Sequence, residues 1–143
     1  MTAQSGFPAA VTLNIDTTGT GINSRPDQIA SGNLSADQRT WKKWFNTAAF
    51  VQAPFGRFGN APRTAAFRLP GIFNIDFSAT KAFHIKESRN LQIRVETFNL
   101  MNHFNPDPYT VDLALNSATF GSVGLGLHGY TTRVIQLGAK LNF

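Results

Sequence analysis

RVIQLGAKLNF, residues Arg133 to Phe143, alternates without a break. Ile135, Leu137, Ala139, Leu141 and Phe143 fall in one set, and Val134, Gln136, Gly138, Lys140 and Asn142 in the other. Successive side chains of a strand point to opposite faces, so the stretch predicts a strand with one apolar and one mostly polar face. Chain ends are usually frayed and hydrophilic. An apolar strand finishing on an aromatic needs a partner for its greasy side.

Working backwards, the same period recurs from Phe73 to Ile85. Phe73, Ile75, Phe77, Ala79, Lys81, Phe83 and Ile85 oppose Asn74, Asp76, Ser78, Thr80, Ala82 and His84, and the pattern fails only at Lys81 and Ala82. Leu91, Ile93 and Val95 oppose Gln92, Arg94 and Glu96; from Phe98 the phase blurs, as at a bulge or a strand end. A weaker fourth stretch spans Phe7 to Asp16. The expected fold is therefore all-β, an antiparallel meander of about four strands near 7–16, 72–85, 91–102 and 131–143. No amphipathic helix of convincing length interrupts it.

The connections are long, short, long: 17–71, then KESRN (Lys86 to Asn90), then 103–130. In a meander this parity puts the long loops on one side of the sheet and the short turn on the other. Long structureless loops are uncommon in compact soluble domains and usual on the extracellular side of outer-membrane barrels. Four strands cannot close, since the smallest such barrels have about eight. Open backbone edges in lipid are costly, which makes the chain the expected C-terminal portion of a larger barrel. The competing fold is a soluble all-β binding module, for example a carbohydrate-binding sandwich, with the alternating faces as core and solvent. That alternative requires Phe77, Ile93 and Leu137 to pack together inside.

Composition fits either fold. The chain has 143 residues, 13 of them phenylalanine, no cysteine, 42% hydrophobic and 15% charged residues. No apolar run is long enough for a transmembrane helix, and MTAQSGFPAA has no basic start before an apolar run. The expectation is either a cytoplasmic protein or the tail of a longer precursor. The net charge of +5 resides between Ser24 and Pro70, where seven Arg and Lys face two Asp. Only Lys42 and Lys43 are adjacent, so this is a basic loop, and nucleic acid is not an expected partner.

WFNTAAF (Trp44 to Phe50), FGRFGNAPR (Phe55 to Arg63), LPGIFNIDFSATKAFHI (Leu69 to Ile85), LQIRVETFNLMNHFN (Leu91 to Asn105), FGSV (Phe120 to Val123) and the tail from Arg133 resemble, in order and spacing, the C-terminal barrel strands of TonB-dependent outer-membrane receptors. The likeness is greatest to the Oar-like group, which has a carboxypeptidase-regulatory-like domain at the N-terminus. The resemblance implies a Gram-negative outer-membrane location, a plugged barrel of about 22 strands and ligand import energised by TonB. It implies as partners the membrane lipid, the remaining strands and plug, TonB itself, the outer-membrane assembly machinery and an imported ligand of unknown identity. Leu141 and Phe143 then resemble the terminal signal read by that machinery.

Asn74, Asp76, Arg94, Glu96 and Lys140 are the candidates for the lumen face, either contacting plug and solute or tiling a wet wall as cross-strand ion pairs. Lys81 falls on the apolar face and would snorkel. Trp41, Lys43, Trp44 and Phe45 are the loop residues expected to touch a ligand; the alternative is that they fold the loop onto itself or anchor it at the outer interface. GLGLHG (Gly124 to Gly129) lacks the strand-before, helix-after context of a dinucleotide site, and the sequon at Asn33 reads as chance. His84, His103 and His128 show no metal-ligand spacing. No metal, cofactor or catalytic residue is expected.

Overall fold

Three strands pair in chain order through the alternating stretches. The computed structural model describes residues 1–86, 89–124 and 132–143. Its strands are β1 (Thr2–Gln4), β2 (Asp27–Gln28), β3 (Phe50–Val51), β4 (Ile72–Asn74), β5 (Phe77–Lys86), β6 (Arg89–Phe98) and β7 (Val134–Asn142). Single 3₁₀ turns lie at Ala36–Gln38, Thr47–Ala49 and Pro108–Thr110, and no α-helix occurs among the described residues. β5, β6 and β7 form one antiparallel sheet in that order. They are ten, ten and nine residues long, which matches the roughly 9–11 residues of a tilted membrane-spanning strand.

The register keeps the two faces apart from strand to strand. Phe77, Thr97 and Ile135 share a row, as do Ala79, Val95 and Leu137, then Lys81, Ile93 and Ala139, then Phe83, Leu91 and Leu141. The intervening rows are Ser78, Glu96 and Gln136; Thr80, Arg94 and Gly138; Ala82, Gln92 and Lys140. A one-residue slip in either pairing would mix the two sets. The apolar set is uncovered: Phe77 is 53% exposed, Ile93 41% and Leu137 78%. A soluble sandwich requires these three to be buried, so the sheet does not form its core.

The core lies in the connections. Ala9, Val11, Phe45, Ala49, Phe50, Ala61, Ala65, Phe67, Leu69, Val111 and Val123 form one buried cluster, with Trp44, Leu113, Leu115 and Phe120 against it. Phe45 and Phe67 stack with ring centroids 4.2 Å apart, while Phe50 and Phe120 meet Phe45 edge-on at 5.9 and 5.3 Å. Offset stacking and edge contacts are the favoured geometries of aromatic pairs. Residues 17–71, expected as a structureless loop, are thus organised by their own aromatics. FGRFGN docks so closely that a Cβ on Gly59 would lie 2.0 Å from the Arg25 carbonyl oxygen, hence glycine there.

Several boundaries differ from those expected. Residues 7–16 are extended, with Ala9, Val11 and Leu13 buried, but they form no strand of the sheet. Their backbone bonds go in pairs to three separate segments: Phe7 O and Ala9 O accept from Leu69 N and Ala65 N, Thr12 donates to Leu113 O and accepts from Leu115 N, and Leu13 N donates to Ser24 O while Ile15 O accepts from Ser24 N. The alternation of Ala9, Val11 and Leu13 turns one face to the loop core, without a strand partner in the sheet. The first strand is instead β1, paired with β4. The stretch 72–85 is interrupted at Ile75 and Asp76, 91–102 stops as a strand at Phe98, and the last strand starts at Val134. Within KESRN, Lys86 pairs with Arg89, and residues 87 and 88 lie outside the described residues.

Truncating a central ring tests this division. Phe45→Ala should destabilise the loop core by about 3–5 kcal/mol. Limited proteolysis of the detergent-solubilised protein should then show faster cleavage within 17–71, with the β-sheet circular dichroism retained.

Candidate functional site

Where the sheet meets the loops, side-chain amides take over from the strand ladder. Leu100 N donates to Ile75 O at 2.7 Å, the last backbone bond between these segments. Alternate residues of a strand present their backbone groups to the same edge, so those of Phe73 face this side too. Asn105, fully buried, accepts from Phe73 N at 2.8 Å and donates Nδ2 to Phe73 O at 3.1 Å, imitating a paired strand. Asn99 and Asn102 adopt positive φ, 52° and 50°, a conformation that asparagine tolerates better than most residues. The Asn99 side chain accepts from His103 N and donates to His103 O.

Asp76 occupies the break between β4 and β5. It accepts from Asn99 N and from Asn74 Nδ2, both at 2.9 Å. Those bonds, the backbone one foremost, hold its carboxyl below the ordinary value. Asn74 and Asp76, expected on the lumen wall, therefore sit in this rim network, with Asn74 buried. Arg94, Glu96 and Lys140 do share the polar face. Arg94 pairs with Glu96 along one strand instead of across strands. It lies opposite Gly138, where no side chain competes for the space, and Lys140 lies opposite Gln92. Lys81 stands beside Ile93 and Ala139 on the apolar face, and His84 lies on the polar face opposite Asn90.

The expected ligand-contacting residues separate. Phe45 is completely buried and cannot meet an external ligand, because its ring is already enclosed by Phe50, Phe67 and Phe120. Trp41 is exposed, with Lys42 Nζ 4.9 Å above its ring. Trp41 and Lys42 line an open groove of about 580 Å³ with Asp112, Thr119 and Phe120. Lys43 is exposed, its backbone bonded to Thr40. Trp44 is half-buried, its indole N–H donating to Arg68 O at 2.9 Å and the Arg39 guanidinium 5.6 Å from its ring centre. It lines a second groove, of about 480 Å³, between the loop core and β4. Arg39, Arg68 and His103 also line that second groove, and no local sequence pattern marks them as one site. They lie far apart in sequence, and only the fold brings them together. GLGLHG beyond Gly124, including His128, lies outside the described residues.

The loop body is pinned by polar anchors. Arg57 forms an ion pair with Asp27, which also accepts from Asn60 N at 3.0 Å. Arg57 first and Asn60 second lower the Asp27 pKa. Asp16 accepts from the backbone N–H groups of Thr18, Gly19 and Gly21, which lowers its pKa too, the Thr18 bond foremost. For Asp112, burial raises the pKa, but bonds from Ser117, Thr119 and Ala114 outweigh it.

The family model for an outer membrane beta barrel domain matches residues 1–136. The chain belongs to that family. No curated protein and no solved structure matches it. As a member of an outer-membrane β-barrel family, it is located in the outer membrane.

The lowered carboxyl values give a pH dependence. Stabilisation from Asp16, Asp27 and Asp112 is complete above the ordinary carboxyl value of 3.8 and is lost as pH falls through the lowered values. In this outer-membrane barrel chain the loop core should hold from neutral pH to about pH 4 and loosen below it, read as rising protease sensitivity of 17–71. Asp27→Asn should start from lower stability and show a shallower acid transition.

Proposed function

We propose that the chain supplies barrel wall and extracellular loops to a TonB-dependent receptor that captures a ligand outside the cell and imports it. The observation that carries this reading is the division of labour within the chain. A membrane-length sheet with an uncovered apolar face stands beneath a separately cored loop body whose surface bears two grooves.

Three features support it. The motifs from Trp44 to the tail resemble, in order and spacing, those of TonB-dependent receptors. Among the described residues β7 pairs only with β6, so its other edge calls for a further barrel strand in lipid. The polar face carries Arg94, Glu96 and Lys140, suited to a wet lumen facing a plug. In this arrangement KESRN is periplasmic, the long connections are extracellular, and Leu141 and Phe143 lie at the periplasmic edge for the assembly machinery to read.

Import is tested by comparing accumulation of labelled medium components in cells with and without the gene, each with TonB present or deleted. The gene should confer uptake only when TonB is present; gene-dependent uptake that survives TonB deletion would refute the reading. The assignment of faces has its own test. Leu137→Arg should destabilise the membrane-embedded protein by about 2–4 kcal/mol if its row lies near the bilayer midplane, whereas Gln136→Arg should cost far less. Heat-modifiable gel migration of the two variants measures the difference.

A further inference from the structure

The groove between the loop core and β4 is lined by Arg39, Arg68, Trp44, His103, Phe73 and Phe104 among others, and no carboxylate lines it. The two ion pairs among the described residues, Arg57–Asp27 and Arg94–Glu96, leave both of its arginines without an anionic partner. Each guanidinium is nevertheless held in place. Arg39 Nε donates to Leu34 O at 3.0 Å, and Arg68 Nη1 donates to Gly6 O at 2.8 Å. One fork thus keeps its two terminal nitrogens free for a ligand and the other keeps one.

Trp44 ties the two arginines together. Its indole N–H holds the Arg68 carbonyl, and its ring lies beneath Arg39. Phe104, 54% exposed, and Phe73, edge-on to the His103 ring, add apolar surface. Planar guanidinium forks match the geometry of phosphate and carboxylate oxygens, and aromatic walls favour a flat or apolar body. A volume of about 480 Å³ exceeds what a bare inorganic ion fills and suits a small organic molecule.

We propose that this groove binds an oxyanion, phosphate or carboxylate, borne on a flat or apolar body, with Arg39 and Arg68 gripping the charge and Trp44 and Phe104 the body. The proposal names the ligand class for the receptor reading and rests on it. The oxyanion has two sources, a free solute or the phosphate headgroup of a lipid at the outer interface.

Phenyl phosphate is the probe and phenol its neutral control, titrated into the intact protein in detergent or nanodiscs. With Trp41→Phe as background, Trp44 is the fluorescent reporter. Phenyl phosphate should shift Trp44 emission saturably and phenol should not. Arg39→Gln and Arg68→Gln should each weaken binding about tenfold or more, and the exposed Arg63→Gln should not. Heat-modifiable migration checks that each variant folds. Salt supplies a test independent of any variant, since raising the ionic strength must weaken binding. Equal affinity in parent and folded arginine variants, a salt-independent response or no response at all would overturn the proposal. Competition by phosphatidic acid in the nanodisc assigns the lipid source, and its absence the free solute; either result follows only from a working oxyanion groove. Loss of phenyl phosphate binding with TonB-dependent uptake intact defeats the groove alone, whereas binding with TonB-independent uptake defeats the receptor reading alone.

Discussion

The structure depends on a single constraint: a three-stranded sheet whose two faces require different surroundings. β5, β6 and β7 keep most rows of side chains either apolar or polar across the sheet; Lys81 and Thr97 are the polar members of the apolar rows, Ala82 sits in a polar row, and Phe98 and Val134 make an apolar row at the end of the polar face. Such segregation has a physical purpose only if a different medium lies on each side. Water on both sides would expose Phe83, Leu137 and Leu141 for nothing, at about 25 cal/mol per Å² of apolar surface left wet. Hydrocarbon on both sides would strand Arg94 and Glu96. Lipid on one side and water on the other satisfies both, and the absence of a core within the sheet follows.

Because the strands bury little, the chain's own packing has to be found elsewhere. Phe45, Phe50, Phe67 and Phe120 provide it, drawn from three stretches, of which that of Phe120 is far from the others in sequence. The core is therefore built by long-range contacts between connections, while the sheet is built by neighbours in sequence. Among the described residues the loop core meets the strands in two places. One is the rim, where Asn74, Asp76, Asn99 and Asn105 replace ladder bonds with side-chain bonds. The other is the second groove, which Trp44 and Arg68 of the loop core line together with Ile72 and Phe73 of β4. A strand that ends at a membrane surface leaves backbone groups in need of partners, and buried amides supply them at fixed positions without another strand.

The sheet was legible in sequence because a strand's two faces are written at every second residue. The alternation in Phe77 to Ile85, Leu91 to Val95 and Ile135 to Leu141 carries the strands, the faces and the order of pairing. The same signal misled at Phe7 to Asp16. There Ala9, Val11 and Leu13 alternate as a strand would, but they face a protein core instead of lipid, and periodicity does not tell one apolar medium from another. The ends of strands were least legible, since they are set by the Asn99 to Asn105 turn and by Asp76, whose partners are named only by the fold. Phe45 and Trp44 are adjacent in sequence and alike in type. Nothing local reveals that one is wholly buried and the other lines a groove.

Charge follows the same division. On the sheet, Arg94 and Glu96 cancel each other along one strand, and the wall carries little net field from them. In the loop body the seven basic residues between Ser24 and Pro70 meet only two acids, and one of those, Asp27, is used up by Arg57. Packing cannot account for the remainder, because Lys43 and Arg63 are exposed and Arg39 and Arg68 line a groove. Unpaired cations over a low-dielectric body raise the local concentration of anions near them, more strongly in a concave site than on a flat one. The chain's basic character is therefore a property of its loops.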